Sequence, residues 1–180
     1  MNLSTIAGVV LGIIIGLIIL VIIKNMLITD KTYRTKYDER QKIVRGKGYK
    51  YSFWMLSILI TIYAMVDSKD ISIPVQRSAI LIFIILICGL FHIIYCIFND
   101  GYFGINTSPK AYYIVIVILG IFEVVVGIMS RDMLIEDGKL TNSALLFFFG
   151  FMFFAIGVSI LIKNIISKDK GDDEDEEDDE

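Results

Sequence analysis

The chain has 180 residues, 56% of them hydrophobic, and a mean hydropathy of +0.70, well above the apolar content of about 45–50% in ordinary globular domains. That excludes a soluble single domain and points to an integral membrane protein. The formal charge of −3 conceals two opposed blocks, because Asp172 to Glu180 are all acidic and carry −9, leaving the rest of the chain at +6.

Ile6 to Ile23 is free of charge and predicts an uncleaved first span, since no basic n-region precedes it as in a signal peptide. Gly8, Gly12 and Gly16 recur every fourth residue, a small-residue stripe that lets another backbone come close. It serves either packing against a later helix of the chain or a homodimer through the first helix. Residues 24–50 hold nine basic and three acidic residues, so the positive-inside rule makes this loop cytoplasmic and puts the N-terminus outside. Thr35 and Asp38 have capping-box spacing, which predicts a short helix from Thr35 to about Arg45, broken by Gly46 and Gly48 before the next span.

Tyr51 to Val66, Ala79 to Phe98, Tyr112 to Met129 and Ala144 to Ile162 read as four further spans. The expected fold is therefore an all-α integral membrane protein of five transmembrane helices, with the C-terminus cytoplasmic. Its parts are a first helix (1–23), a basic cytoplasmic loop (24–50), a four-helix membrane domain (51–166) and a disordered acidic tail (167–180). The lipid bilayer of a cell membrane is its first partner. The run Val66-Asp-Ser-Lys-Asp with Arg77-Ser-Ala echoes Met129-Ser-Arg-Asp with Asn142-Ser-Ala, suggesting two hairpins of one orientation. No credible strand and no nucleotide-binding loop is visible, and nothing points to direct contact with nucleic acid.

Few residues stand out chemically. Glu123 lies inside the fourth span, where a carboxylate is costly enough to be a functional candidate or else is protonated and hydrogen-bonded. His92 is the only histidine, and Cys88, His92 and Cys96 form one helical stripe of donors suited to soft metals. A closed site lacks further ligands, so no metal or other cofactor is expected. Counted from their inner helix ends, His92 and Glu123 lie about 9 and 17 Å deep at 1.5 Å per residue, so a direct contact requires tilt or a bridging water. The rings of Phe147 to Phe154 cover every helix face and are explained by lipid contact and packing. With no set of nucleophile and base on one surface, the chain is not expected to be an enzyme.

Asp38-Glu39-Arg40-Gln41, then Arg45-Gly46-Lys47 before a span, and Asn99-Asp100-Gly101-Tyr102-Phe103-Gly104 after a later one, carry a likeness. The chain resembles a group of small multi-pass membrane proteins from Firmicutes, of no established function, with "DERQ…RGK" and "DAYF" motifs. Gly101 stands where that group has Ala. The resemblance implies a helical membrane domain with no established enzyme activity, and pairing with a small helix-turn-helix regulator. Both blocks fall at the cytoplasmic ends of spans, so Arg40, Arg45 or Lys47 is placed to pair with Asp100. Asp38, Glu39, Arg40, Gln41, Arg45, Lys47, Asp100 and Tyr102 form the candidate interaction surface. The expected function is regulatory or sensory, through a soluble cytoplasmic partner. The alternative is a small transporter or an immunity protein against a membrane-active peptide, using Glu123 and His92.

Overall fold

A computed structural model describes residues 21, 23, 27–29, 35–69, 71 and 73–177, with side chains to Lys168. Four long helices follow in order: α1 Glu39–Asp67, α2 Arg77–Phe98, α3 Pro109–Met129 and α4 Ala144–Glu177. All four contain a stretch long and apolar enough to cross a membrane. Most of the first expected span, including Gly8, Gly12 and Gly16, lies outside the described residues.

Each helix packs along one side. α1 lies against α2, α2 against α4, and α4 against α3, so two hairpins of the same sense, α1/α2 and α3/α4, meet through their second helices. The buried cluster Leu90, Ile97, Ile116, Met152, Ile156 and Ile160 draws on α2, α3 and α4. Elsewhere large apolar side chains face outward, among them Trp54, Ile58, Ile121, Phe122, Phe151 and Phe154. Water would penalise such continuous apolar faces; hydrocarbon does not.

The structure corrects the reading of α1. Its N-cap is Asp38, not Thr35: Asp38 Oδ1 accepts from Gln41 N at 2.6 Å, and the Asp38 N–H donates to Gln41 Oε1 at 3.2 Å. The Asp-Glu-Arg-Gln block is itself the reciprocal capping box. Nor do Gly46 and Gly48 break the helix, which runs unbroken for 29 residues. A helical glycine costs only about 1 kcal/mol relative to alanine, less than a packed span supplies. The two glycines differ in role. A Cβ on Gly48 would sit 2.8 Å from His92 Nδ1 and 3.1 Å from Tyr95 Cδ1, while one on Gly46 meets nothing within 4 Å. Gly48, the buried residue of α1, is therefore where α2 comes closest to the backbone.

The loops opposite the basic end also differ from expectation, because they contain strands. β1 (Ile135–Glu136) and β2 (Lys139–Leu140) pair antiparallel across Asp137 and Gly138, both at positive φ (49° and 72°). Asp-Gly with both residues left-handed is the signature of a tight hairpin turn. Leu140 then joins the other loop: Gln76 N donates to Leu140 O at 2.8 Å and Leu140 N to Pro74 O at 2.9 Å. Ser78 Oγ donates to Asn142 Oδ1 at 3.0 Å. A short 3₁₀ turn, Arg131–Met133, leads into the hairpin. At the far end of the chain α4 continues through Glu177, so the backbone is helical across much of the segment expected to be disordered from 167.

Gly46→Ala should raise stability by about 0.5–1 kcal/mol through helix propensity, whereas Gly48→Ala should lower it by about 1–3 kcal/mol through overpacking. Unfolding of the detergent-solubilised protein reads both, and equal effects would refute the close approach at Gly48.

Candidate functional site at the basic end

The residues singled out from the two sequence blocks converge at one end of the bundle, and the geometry begins where α2 stops. Gly101 N donates to Cys96 O at 2.8 Å and Asp100 N to Ile97 O at 3.3 Å, the paired bonds of a Schellman turn. Asp100 occupies its left-handed position, with φ of 58°. Glycine is usual there, and aspartate is among the few other residues that tolerate it. The turn aims the carboxylate at two helices. Lys163 Nζ of α4 lies 3.0 Å from one Asp100 oxygen, and Arg40 of α1 lies 3.8 Å from the other. Lys163 also donates to Phe98 O at 3.3 Å, placing a cation where helix α2 ends negative.

The expected pairing of the first block with Asp100 is therefore present through Arg40. Arg45 takes a different role. Its guanidinium lies 4.3 Å above the Tyr37 ring centroid, donates to Tyr37 Oη at 3.1 Å and reaches Gly101 O at 3.5 Å. Lys163 escaped the reading because its partner lies 63 positions away and only its place at the inner end of a span hinted at it.

The 100–108 turn is braced along its length by the chain ahead of α1. Gln41 Nε2 donates to Phe103 O at 2.9 Å, Ile105 N to Lys36 O at 2.9 Å, and Lys36 N to Asn106 Oδ1 at 2.7 Å. Further back, Thr29 N donates to Asn106 O at 2.8 Å and Ser108 N to Leu27 O at 3.1 Å. Two glycines permit this approach. A Cβ on Gly101 would lie 2.6 Å from Val44 Cγ1, and one on Gly104 would lie 2.6 Å from Lys36 O. Gly101→Ala would demand a different placement of Val44.

Tyr102, expected on the surface, points inward. Its ring packs edge-on against Phe103 and Tyr112 at 5.0 and 5.7 Å between centroids, and burial pushes its phenol far above the usual tyrosine range. Of the expected interaction surface, Asp38, Gln41, Arg45, Asp100 and Tyr102 thus hold the end of the bundle together. What faces outward on α1 is Glu39, Lys42, Lys47 and Lys50. The ammonium groups of those three lysines have no ion-pair or hydrogen-bond partner among the described residues. Between the clamp and α4 lies a cavity of about 230 Å³ lined by Gln41, Asp100, Tyr102, Lys163, Asn164 and Ser167.

His92 and Glu123 are not brought together. His92 stacks on Tyr49 of α1 with centroids 4.1 Å apart, and its Nε2 lies 3.7 Å from Cys96 Sγ. Glu123 is half-buried on α3 and has no hydrogen-bond or ion-pair partner among the described residues. No protein-family model, curated protein or solved structure matches the chain.

Asp100→Asn retains a side chain that tolerates the left-handed turn and removes the charge. Because the pair is half-exposed, the loss should be about 0.2–1 kcal/mol and should fade at high salt. Asp100→Ala should cost about 1–2 kcal/mol more, from the backbone. A double-mutant cycle with Lys163→Met in low and high salt separates the two contributions; additivity at both salts would remove the ion pair from the clamp.

Proposed function

We propose that the chain is a non-enzymatic, multi-pass membrane protein that regulates or senses by binding a soluble, acidic partner through its basic end. One observation carries this reading: Arg40, Arg45 and Lys163 are used within the clamp, whereas Lys42, Lys47 and Lys50 are turned outward without partners among the described residues. They stand on the first turns of a helix whose 29 residues reach about 43 Å, well beyond a hydrocarbon core of about 30 Å. The basic rows are thus carried clear of the lipid on a rigid stem. A small helix-turn-helix regulator, as the resemblance implies, is a partner of the right kind if its contact surface is acidic. Positive-inside asymmetry supports a cytoplasmic location for this end. With the first apolar run as a fifth span, the N-terminus is outside and the C-terminus cytoplasmic. The separation of His92 from Glu123 leaves the transporter and immunity readings without a polar path to support them.

Sidedness is open to direct labelling, since the native thiols Cys88 and Cys96 are buried. A cysteine replacing Lys47 should react with an impermeant maleimide only after the cells are opened, and one replacing Asp137 should react in intact cells. The reverse pattern would invert the topology. For the partner, a photo-crosslinking residue at position 47 in native cells should give a discrete adduct with a soluble protein. That adduct should disappear when Lys42 and Lys50 become glutamate, and a crosslinker at lipid-facing position 122 should not form it. An adduct indifferent to both lysines would refute the electrostatic docking.

A further inference from the structure

Between α3 and α4 runs a trough whose mouth borders the clamp cavity at Asn164 and which leads away from it along the two helices. Near the basic end it opens as a cavity of about 650 Å³ whose lining includes Ser108, Lys110, Tyr113, Leu161 and Asn164. It continues along the two helices as a second cavity of about 340 Å³, and Tyr113 and Leu161 line both. Gly120, Gly150 and Gly157 lie along the second part. There the helices come close enough that a Cβ on Gly150 would sit 2.9 Å from Val124 Cγ2 and one on Gly120 would sit 3.2 Å from Phe153 Cβ. Val117, Ile121 and Phe154 stand partly exposed along it.

We infer that this trough binds one anionic phospholipid from the leaflet at the basic end, with its headgroup at Lys110 and Asn164 and an acyl chain along the α3/α4 seam. Three observations select this occupant. First, polarity runs the right way: a charged and amide-bearing mouth at the ends of the spans leads into an apolar run within them. Second, Lys110 and Asn164 are exposed and have no hydrogen-bond or ion-pair partner among the described residues. Lys163, next to Asn164 on α4, is held by Asp100, and Lys168 lies one turn beyond Asn164. The free charge at the mouth is therefore positive and complements a phosphodiester. Third, the length fits one leaflet. From Tyr113 to Val125 the trough covers about 18 Å at 1.5 Å per residue, against about 15 Å for half of the hydrocarbon core. A helix from a second copy would call for a seam through the whole thickness.

The seat is distinct from lipid contact in general because it couples headgroup charge to one groove. A single lysine near an anionic surface is worth about a fivefold preference, which sets the expected effect. The test uses the full chain in vesicles, with Trp54→Phe removing the native fluorophore and Phe154→Trp placing a reporter in the trough. Phe122→Trp, on α3 outside the trough lining, serves as control. The vesicles are phosphatidylcholine doped with brominated phosphatidylglycerol or brominated phosphatidylcholine. Half-maximal quenching of the trough reporter should come at about a fivefold lower fraction of the anionic lipid, while the control reporter treats the two lipids alike. Lys110→Gln, and separately Lys110→Glu, should abolish the preference. Equal quenching of the trough reporter by both lipids, or a preference untouched by either lysine variant, would mean annular lipid only and would overturn the proposal. Quenching that falls as the protein-to-lipid ratio rises, with a crosslinkable dimer through position 154, would assign the trough to a second copy and overturn it as well.

Discussion

The basic end depends on a backbone conformation that is unusual for the residue adopting it. Asp100 sits in the left-handed region where α2 closes into its terminal turn, and that strain places one carboxylate between cations of α1 and α4. Remove the turn and neither Arg40 nor Lys163 has a common target. The ion pairs themselves are half-exposed and individually weak. Their value lies in geometry, because they attach the first and last helices to the end of the second, to which the helical packing alone attaches them only along their sides. Gln41, Arg45 and Asn106 then secure the adjoining loop with neutral or backbone-directed bonds that salt does not screen.

This arrangement separates two kinds of positive charge on a single helix. The two arginines are used for stacking and for carbonyl and carboxylate contacts, Arg45 partly buried and Arg40 exposed, consistent with their fixed fork of donors. Lysines, as compact and well-hydrated charges, occupy the outward rows. The division explains why a block that reads as uniformly basic is, in three dimensions, partly a fastener and partly a free face. The trough at Lys110 opens beside the clamp, with Asn164 lining both cavities, but Lys110 is not one of the cations that Asp100 holds.

Much of this was legible from residue order alone. The four described helices follow from long apolar runs, and the pairing of the first basic block with Asp100 follows from both lying at the same ends of spans. The errors are instructive. Thr35 with Asp38 has the spacing of a cap, but Asp38 with Gln41 satisfies the same rule three residues later, and Asp38 directly precedes the helix. Gly48 was read as a breaker because local propensity says nothing about a histidine from another helix pressing on its backbone. Tyr102 was placed on the surface because a polar turn is normally exposed, whereas the neighbouring Phe103 and Tyr112 draw it in. The Asp137-Gly138 pair is itself a hairpin signal, but the flanking strands are two residues each, too short for an alternating pattern to show. Lys163 could not have been paired with Asp100 without knowing that α2 and α4 are neighbours.

The strand contacts at Leu140 bear on how the bundle can move. The α1/α2 and α3/α4 hairpins are joined at one end by Lys163 and Asp100, and at the other by the backbone bonds among Pro74, Gln76 and Leu140. Sliding one hairpin past the other would break both fastenings together, so axial displacement is suppressed. Swinging α1 away from α3 is opposed as well, because Lys36 and Gln41 hold the turn that leads into α3. The two hairpins are therefore tied more heavily at the basic end than at the strand end, and splaying them costs least at the strands.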